Sequence, residues 1–195
     1  IWIMKFIAGS ALTLIYTIHY SDRGSADIYK FYDDAQVIAS ALPEHPGDYF
    51  KLLSGFYDDD ESLANYTNSM KNWMPQSEEW LDFAQTKNYN LFQSNRIITR
   101  INAILIPVTF GNIFTHVLIF SWISLIGIIA FLTLFRGNEN PFSYLILVLF
   151  PSLILWCSPP LKDTLTLWSV CVIFFLAYQI SRKGFTIKRL VFLCF

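Results

Sequence analysis

Charge and cysteine are what this 195-residue chain has little of. Only 15% of its residues are charged and 54% are apolar, with a mean hydropathy of +0.41. That scarcity excludes a disordered chain, whose composition is polar and charge-rich. A formal net charge of −1 excludes a nucleic-acid binder with a basic face. The three cysteines, Cys157, Cys171 and Cys194, all lie in apolar sequence and lack metal-ligand spacing. They exclude a disulfide-stapled secreted domain and read as small hydrophobes in membrane helices. There is no internal repeat and no low-complexity linker.

Aromatic side chains are abundant: 18 Phe, 10 Tyr and 6 Trp make up 17% of the chain. The few charges are sorted. Residues 21–95 hold 13 of the 15 acids and 5 of the 14 bases, a balance of −8, and the remainder carries +7. An acidic polar segment joined to a basic-flanked apolar remainder reads as a polytopic membrane protein with one sizeable extramembrane loop. The expected fold class is all-α and integral to the membrane. About four transmembrane helices are expected, with a helical extracytoplasmic loop lying on the membrane. Residue 1 is Ile, and 189–195 begin an apolar run and stop, so the chain reads as a fragment of a larger multi-span protein.

Four tracts could cross a bilayer, which takes about 20 apolar residues. The first is residues 1–20, interrupted only by Lys5. It has no small-x-small cleavage site, which favours a retained helix over a signal peptide. The second tract has no formally charged residue between Arg100 and Arg136, and Pro107 and Gly111 divide it. Residues 97–109 are expected to lie at the interface as a short helix, and 113–135 to span. The third span is expected at 142–156 and the fourth at 164–180. Arg182, Lys183, Lys188 and Arg189 follow the fourth span and Arg136 follows the second. Cytoplasmic flanks are enriched in Lys and Arg, so both turns are placed inside. The N-terminus is then cytoplasmic, with Lys5 in agreement, and residues 21–95 and 157–163 are outside. Three regions follow: 1–20 as the first span, 21–95 as the external loop, and 96–195 as interfacial helix, further spans and the start of a fifth.

Within the loop, Ile28, Phe31, Tyr32, Ala35, Ile38, Ala39 and Leu42 form one apolar stripe at helical period. The expected helix runs over 26–42, with Ser25 as N-cap and Leu42-Pro43 as its end. Shorter helices are expected at 48–55, 62–73 and 77–85. The aromatics of the loop suit a membrane interface.

At 100° per residue, Asp27 and Asp34 fall on the same edge of that stripe, while Asp33 points away from it. An acid at the boundary of an apolar face can have its pKa tuned and can face a groove. Asp34, with Asp27, is therefore the catalytic candidate; the competing reading is solubilising charge with a Lys30–Asp34 pair. Asp58 and Asp60 form D-x-D ahead of a helix start, with no further ligand set, so no metal site and no cofactor are assigned. Arg96, Arg100 and Asn102 open the interfacial segment, His116 lies near the outer end of the second span, and Lys162-Asp163 occupies the external turn. Ionisable groups against a membrane are costly and usually face a cavity or a partner. Cations at an outer leaflet suit an anionic lipid headgroup or a diphosphate. Snorkelling arginines, a Lys162–Asp163 helix cap and a structural histidine are the alternative readings.

The residues Ile15-Tyr16, Tyr20-Ser21-Asp22-Arg23 and Ala26-Asp27-Ile28-Tyr29-Lys30-Phe31-Tyr32-Asp33-Asp34 resemble the first span and first external loop of bacterial GT-C-type glycosyltransferases, and more narrowly a Bacteroidetes-type group. So do Arg96-Ile97-Ile98-Thr99-Arg100-Ile101-Asn102-Ala103, His116 with Ser121 to Gly127, and Pro151-Ser152 through Trp156, Ser158 and Leu161-Lys162-Asp163. The resemblance implies a bacterial inner-membrane enzyme. It would take a sugar from a polyprenyl-phosphate donor on the outer face and pass it to a glycan, lipid or protein acceptor. It implies Asp34 or Asp27 as general base, with Arg96, Arg100 or Lys162 holding the donor phosphate. An O-antigen or exopolysaccharide polymerase is the nearest alternative. A non-enzymatic envelope or transport component is the alternative of another class.

Overall fold

The computed structural model describes residues 1–55, 61–71, 73, 94–135 and 149–183. Among the described residues the fold is helical, without strands. The helices are α1 (Trp2–His19), α2 (Asp27–Glu44), α3 (Pro46–Ser54), α4 (Ala64–Ser69), α5 (Ser94–Thr109), α6 (Ile113–Leu132), α7 (Pro151–Leu155) and α8 (Lys162–Lys183). The chain forms two compact units. One is residues 13–116 and the other combines 1–12 with 117–195, so α1 and α6 are each divided between them.

In the second of these units the helices are apolar almost all round. Among the described residues, α1, α6 and Lys162–Arg182 of α8 are each long and apolar enough to cross a membrane. Their outward faces carry Ile3, Ile7, Trp122, Ile129, Ile173 and Phe174. Water would make such faces unstable, and lipid covers them without cost, which suggests membrane association. Trp2 packs on Trp122 at 5.0 Å, and Gly9 faces Val117. Rising numbers on α1 thus meet falling numbers on α6, and the two helices are antiparallel. Gly127 faces Trp168, and Phe131 meets Phe174 at 6.1 Å, so α6 and α8 are parallel. A Cβ at Gly127 would lie 2.8 Å from the Cα of Trp168; the missing side chain is what lets the two backbones approach.

Lys5 is 1% exposed, and its Nζ donates to the Leu153 carbonyl at 2.8 Å. A carbonyl of the short helix α7, left without a partner within that helix, gives the buried side chain its acceptor. The turn after α7 is buried from Cys157 to Leu161. Burial there pushes the Cys157 thiol pKa up. Of the expected third span, only 149–156 falls within the described residues.

In the unit of residues 13–116, α2 buries the expected stripe: Ile28, Phe31, Tyr32, Ala35 and Ile38. Its boundaries differ from expectation at both ends. The cap position is Ala26, and Ser25 instead donates its hydroxyl to the Asp22 carbonyl. Asp22 caps the preceding 3-10 turn by accepting from the Gly24 N–H. At the other end Pro43 is tolerated in the last turn, and α2 runs on to Glu44. Helix α3 starts with Pro46 and closes on Gly55 at φ 73°, a left-handed conformation that favours glycine. The third loop helix is shorter than expected, ending at Ser69, and the fourth lies outside the described residues. A core of Ala35, Ile38, Ala41, Tyr49, Leu52, Leu63, Met70, Trp73 and Ala103 joins these pieces to α5. The loop therefore has a hydrophobic core of its own, and the compact unit continues through residue 95 to His116.

Helix α5 has an unusually polar buried side. It carries Arg96, Thr99, Arg100 and Asn102 beside Ile98 and Ala103, while Ile97, Ile104 and Val108 are exposed. A helix on an aqueous domain buries a mainly apolar face instead. Phe110 and Gly111, both at positive φ, separate α5 from α6.

Candidate functional site

The site is built where α2 faces α5. Asp34 is 3% exposed, and its Oδ1 accepts from the Lys71 N–H at 2.9 Å. Two residues further on, the Trp73 carbonyl takes both Nε and Nη2 of Arg96, at 3.1 and 3.0 Å. Arg96 is wholly buried, with its guanidinium 4.8 Å from the Trp73 ring. Arg100, one turn along α5, lies 5.5 Å from the same ring and donates from Nε to the Leu52 carbonyl at 3.2 Å. Lys71 thus touches the buried acid, and Trp73 both buried arginines. Planar guanidinium groups suit this role, because they stack on indole while donating in the ring plane.

A second network lies further along α5. His116 is fully buried, with Nδ1 2.8 Å from Asn102 Oδ1 and Nε2 2.8 Å from Thr109 Oγ1. Asn102 Nδ2 donates to the Ile98 carbonyl, which turns Oδ1 toward the imidazole. Nδ1 therefore carries the proton, and Thr109 Oγ1 shares its single proton between Nε2 at 2.8 Å and the Leu105 carbonyl at 3.0 Å. The Tyr32 ring meets His116 edge-on at 5.1 Å, and its hydroxyl donates to the Gly111 carbonyl at 2.5 Å. Burial pushes the Tyr32 pKa up. Every polar atom of this network has a partner, so it serves as a lock between α2, α5 and the start of α6.

No family model, curated protein or solved structure matches this chain. The site must therefore be read from its own chemistry.

Of the residues expected from sequence, Asp34 comes to Lys71, Arg96 and Arg100 come to Trp73, and Asn102 meets His116. Asp27 does not join them. Its side chain is 53% exposed and is ion-paired with Lys30. Lys30 thus pairs with Asp27, not with Asp34 as the competing sequence reading had it. Asp33 is half-buried and holds Arg23 through two nitrogens, at 2.8 to 3.1 Å. This pair raises the Arg23 pKa, and Arg23 also stacks on Tyr29 at 4.0 Å. Lys162 and Asp163 belong to the other unit, exposed at the start of α8. Among the described residues no three His, Cys, Asp or Glu side chains gather to hold a metal. Asp58 and Asp60 lie outside the described residues. Sequence reasoning missed Trp73, Tyr32 and Gly55 as parts of the site. Tyr32 was legible only as core, and the signal for Trp73 was no more than an aromatic in a polar stretch.

Proposed function

We propose that this chain is part of a membrane transferase that moves a sugar from a polyprenyl-phosphate donor, with Asp34 as general base. The observation that carries the reading is a buried carboxylate on α2 and two buried arginines on α5, the first bonded to Lys71 and the others in contact with Trp73. In the proposed step the acceptor hydroxyl passes its proton to the Asp34 carboxylate. Its oxygen bonds to the anomeric carbon, the bond from that carbon to the phosphate oxygen breaks, and polyprenyl phosphate leaves with the electron pair. A leaving phosphate needs charge stabilisation and no acid. Arg100, at 9% exposure the less buried of the two, is the cation proposed to supply it. Asp34 is preferred to Asp27, whose exposed carboxylate is neutralised by Lys30.

The proposal includes four spans in a bacterial inner membrane, with the N-terminus inside and the cap outside. The parallel course of α6 and α8 supports it. Parallel neighbours need a connection that travels back the length of a helix, about 30 Å for 20 residues. A second reading, a non-enzymatic envelope or transport component, draws on the complete burial of Arg96 and its two hydrogen bonds to one carbonyl, the marks of a structural clasp.

The deciding measurement is release of polyprenyl phosphate from polyprenyl-phosphate sugars by the protein in nanodiscs. Asn at position 34 keeps an oxygen for the Lys71 N–H, so Asp34→Asn tests the base and spares the fold. A fall of about a hundredfold or more is expected. Release that is unaffected by Asp34→Asn removes the assignment, and wild type that releases nothing leaves the clasp reading.

A further inference from the structure

A groove of about 710 Å³ lies apart from the Asp34 cluster, between α2, the start of α3 and α4. Its size is within the range of small-molecule sites. It is lined by Val37 and Ser40 of α2, His45 and Asp48 at the start of α3, and Ser62, Asn65, Tyr66 and Ser69 on or just before α4. The last four fall at i, i+3, i+4 and i+7, so one face of that short helical stretch is given to the groove and is polar throughout.

Hydrogen-bond polarity narrows the ligand. The Ser40 hydroxyl spends its proton on the Val37 carbonyl at 2.7 Å, and the Ser69 hydroxyl on the Asn65 carbonyl at 2.6 Å. Both therefore offer the groove oxygen lone pairs, and Asp48 adds a carboxylate. Asn65 supplies one carbonyl and an NH2 with two donors, and His45 a ring that can donate. Neither side chain has a hydrogen-bond partner among the described residues. Tyr66 is half-buried and adds a ring. The lining is thus rich in acceptors, with a few donors and one aromatic face.

Such a lining disfavours phosphates and carboxylates, which bring only acceptors. Lys51 does not reverse this, because it sits 4.0 Å from Asp48 and offsets that charge. Fatty chains are disfavoured as well, since Val37 is the only aliphatic wall among the described residues. A ligand with many hydroxyl donors and one C–H face fits both features. We propose that this groove binds a neutral saccharide, its hydroxyls donating to Asp48, Asn65, Ser40 and Ser69 and one ring face lying on Tyr66. The inference stands on the lining and does not require the transferase reading; if that reading holds, the groove is where a glycan acceptor docks.

The test is saturation-transfer NMR on the protein in nanodiscs with a panel of neutral hexose disaccharides, followed by titration of the tightest. Saturable binding is expected, weakened about tenfold by Asn65→Ala and by Asp48→Asn. Asn65 has an exposed side chain without internal bonds, so its truncation leaves the fold intact, and helical circular dichroism checks this. Unaltered binding in both variants would overturn the proposal. So would no binding to any disaccharide, or tighter binding of a hexose phosphate or a hexosamine than of the neutral sugar. Because the readout is binding, failure of polyprenyl-phosphate release leaves this result untouched, and the reverse also holds.

Discussion

Replacing Arg96 separates a structural clasp from a free ligand-binding cation. Arg96→Met keeps most of the side-chain volume, so the cavity term is small, and removes the donors. The Trp73 carbonyl then loses two charge-assisted bonds at 3.1 and 3.0 Å inside a buried site. Hydrogen bonds to charged groups contribute about 1.5–3 kcal/mol, and the two here share one acceptor, so together they count as roughly one strong bond. Stacking of the guanidinium at 4.8 Å from the Trp73 ring adds about 1 kcal/mol. The expected loss is therefore about 3 kcal/mol for the unit of residues 13–116, or roughly 12–24 °C in Tm. Urea unfolding in mild detergent, followed by tryptophan fluorescence, measures it. Arg96→Lys keeps the charge and loses the fork, so it should recover less than half. A loss below about 0.5 kcal/mol for Arg96→Met would refute the reasoning, because a buried carbonyl deprived of its donors cannot be that cheap.

Gly55→Ala should destabilise the same unit by about 2 kcal/mol or more. Its φ of 73° disfavours any Cβ, and the added atom would also collide with the Arg100 guanidinium; thermal melts of the two proteins measure the difference. His116→Leu leaves Asn102 Oδ1 without its buried partner, while Thr109 keeps the Leu105 carbonyl, and a loss of about 1–3 kcal/mol in the same unfolding assay is expected. Burial raises the pKa of Tyr32 and Tyr49, whose hydroxyls donate to the carbonyls of Gly111 and Ala103. Their neutral forms are favoured by folding, so this stability is fully present below the unfolded value of about 10 and is lost as pH rises through the raised folded-state values. Stability measured from pH 8 to 12 should fall above pH 10 in wild type, and less steeply in Tyr32→Phe.

The stripe from Ile28 to Leu42 was legible because a helix with one wet and one dry face writes its period into the sequence. The same wheel separated Asp34 from Asp33, and burial follows that division. Helix ends were less legible. Ser25 looked like a cap, but Asp22 holds its hydroxyl, and Pro43 did not stop α2 where its sequence signal put the end. Such choices turn on a single hydrogen bond, which propensity does not fix. The wheel ranked Asp27 with Asp34, yet among the described residues Asp27 pairs with Lys30 alone. An angle on one helix says which way a side chain leaves, and the neighbouring elements decide what it meets.

The sequence by itself determined the apolar helices, the acidic cap and the two cations on α5, because periodicity and composition are local properties of the chain. Only the tertiary structure decided that Lys71 meets Asp34, that Trp73 meets Arg96 and Arg100, and that Lys5 is buried against a carbonyl far along the chain. It also decided that the stretch from Ser62 to Ser69 turns a polar face to a groove. Those pairings join residues tens to well over a hundred positions apart. No local pattern encodes a contact of that span; it forms because each buried polar group needs a partner, and the fold decides which one is in reach.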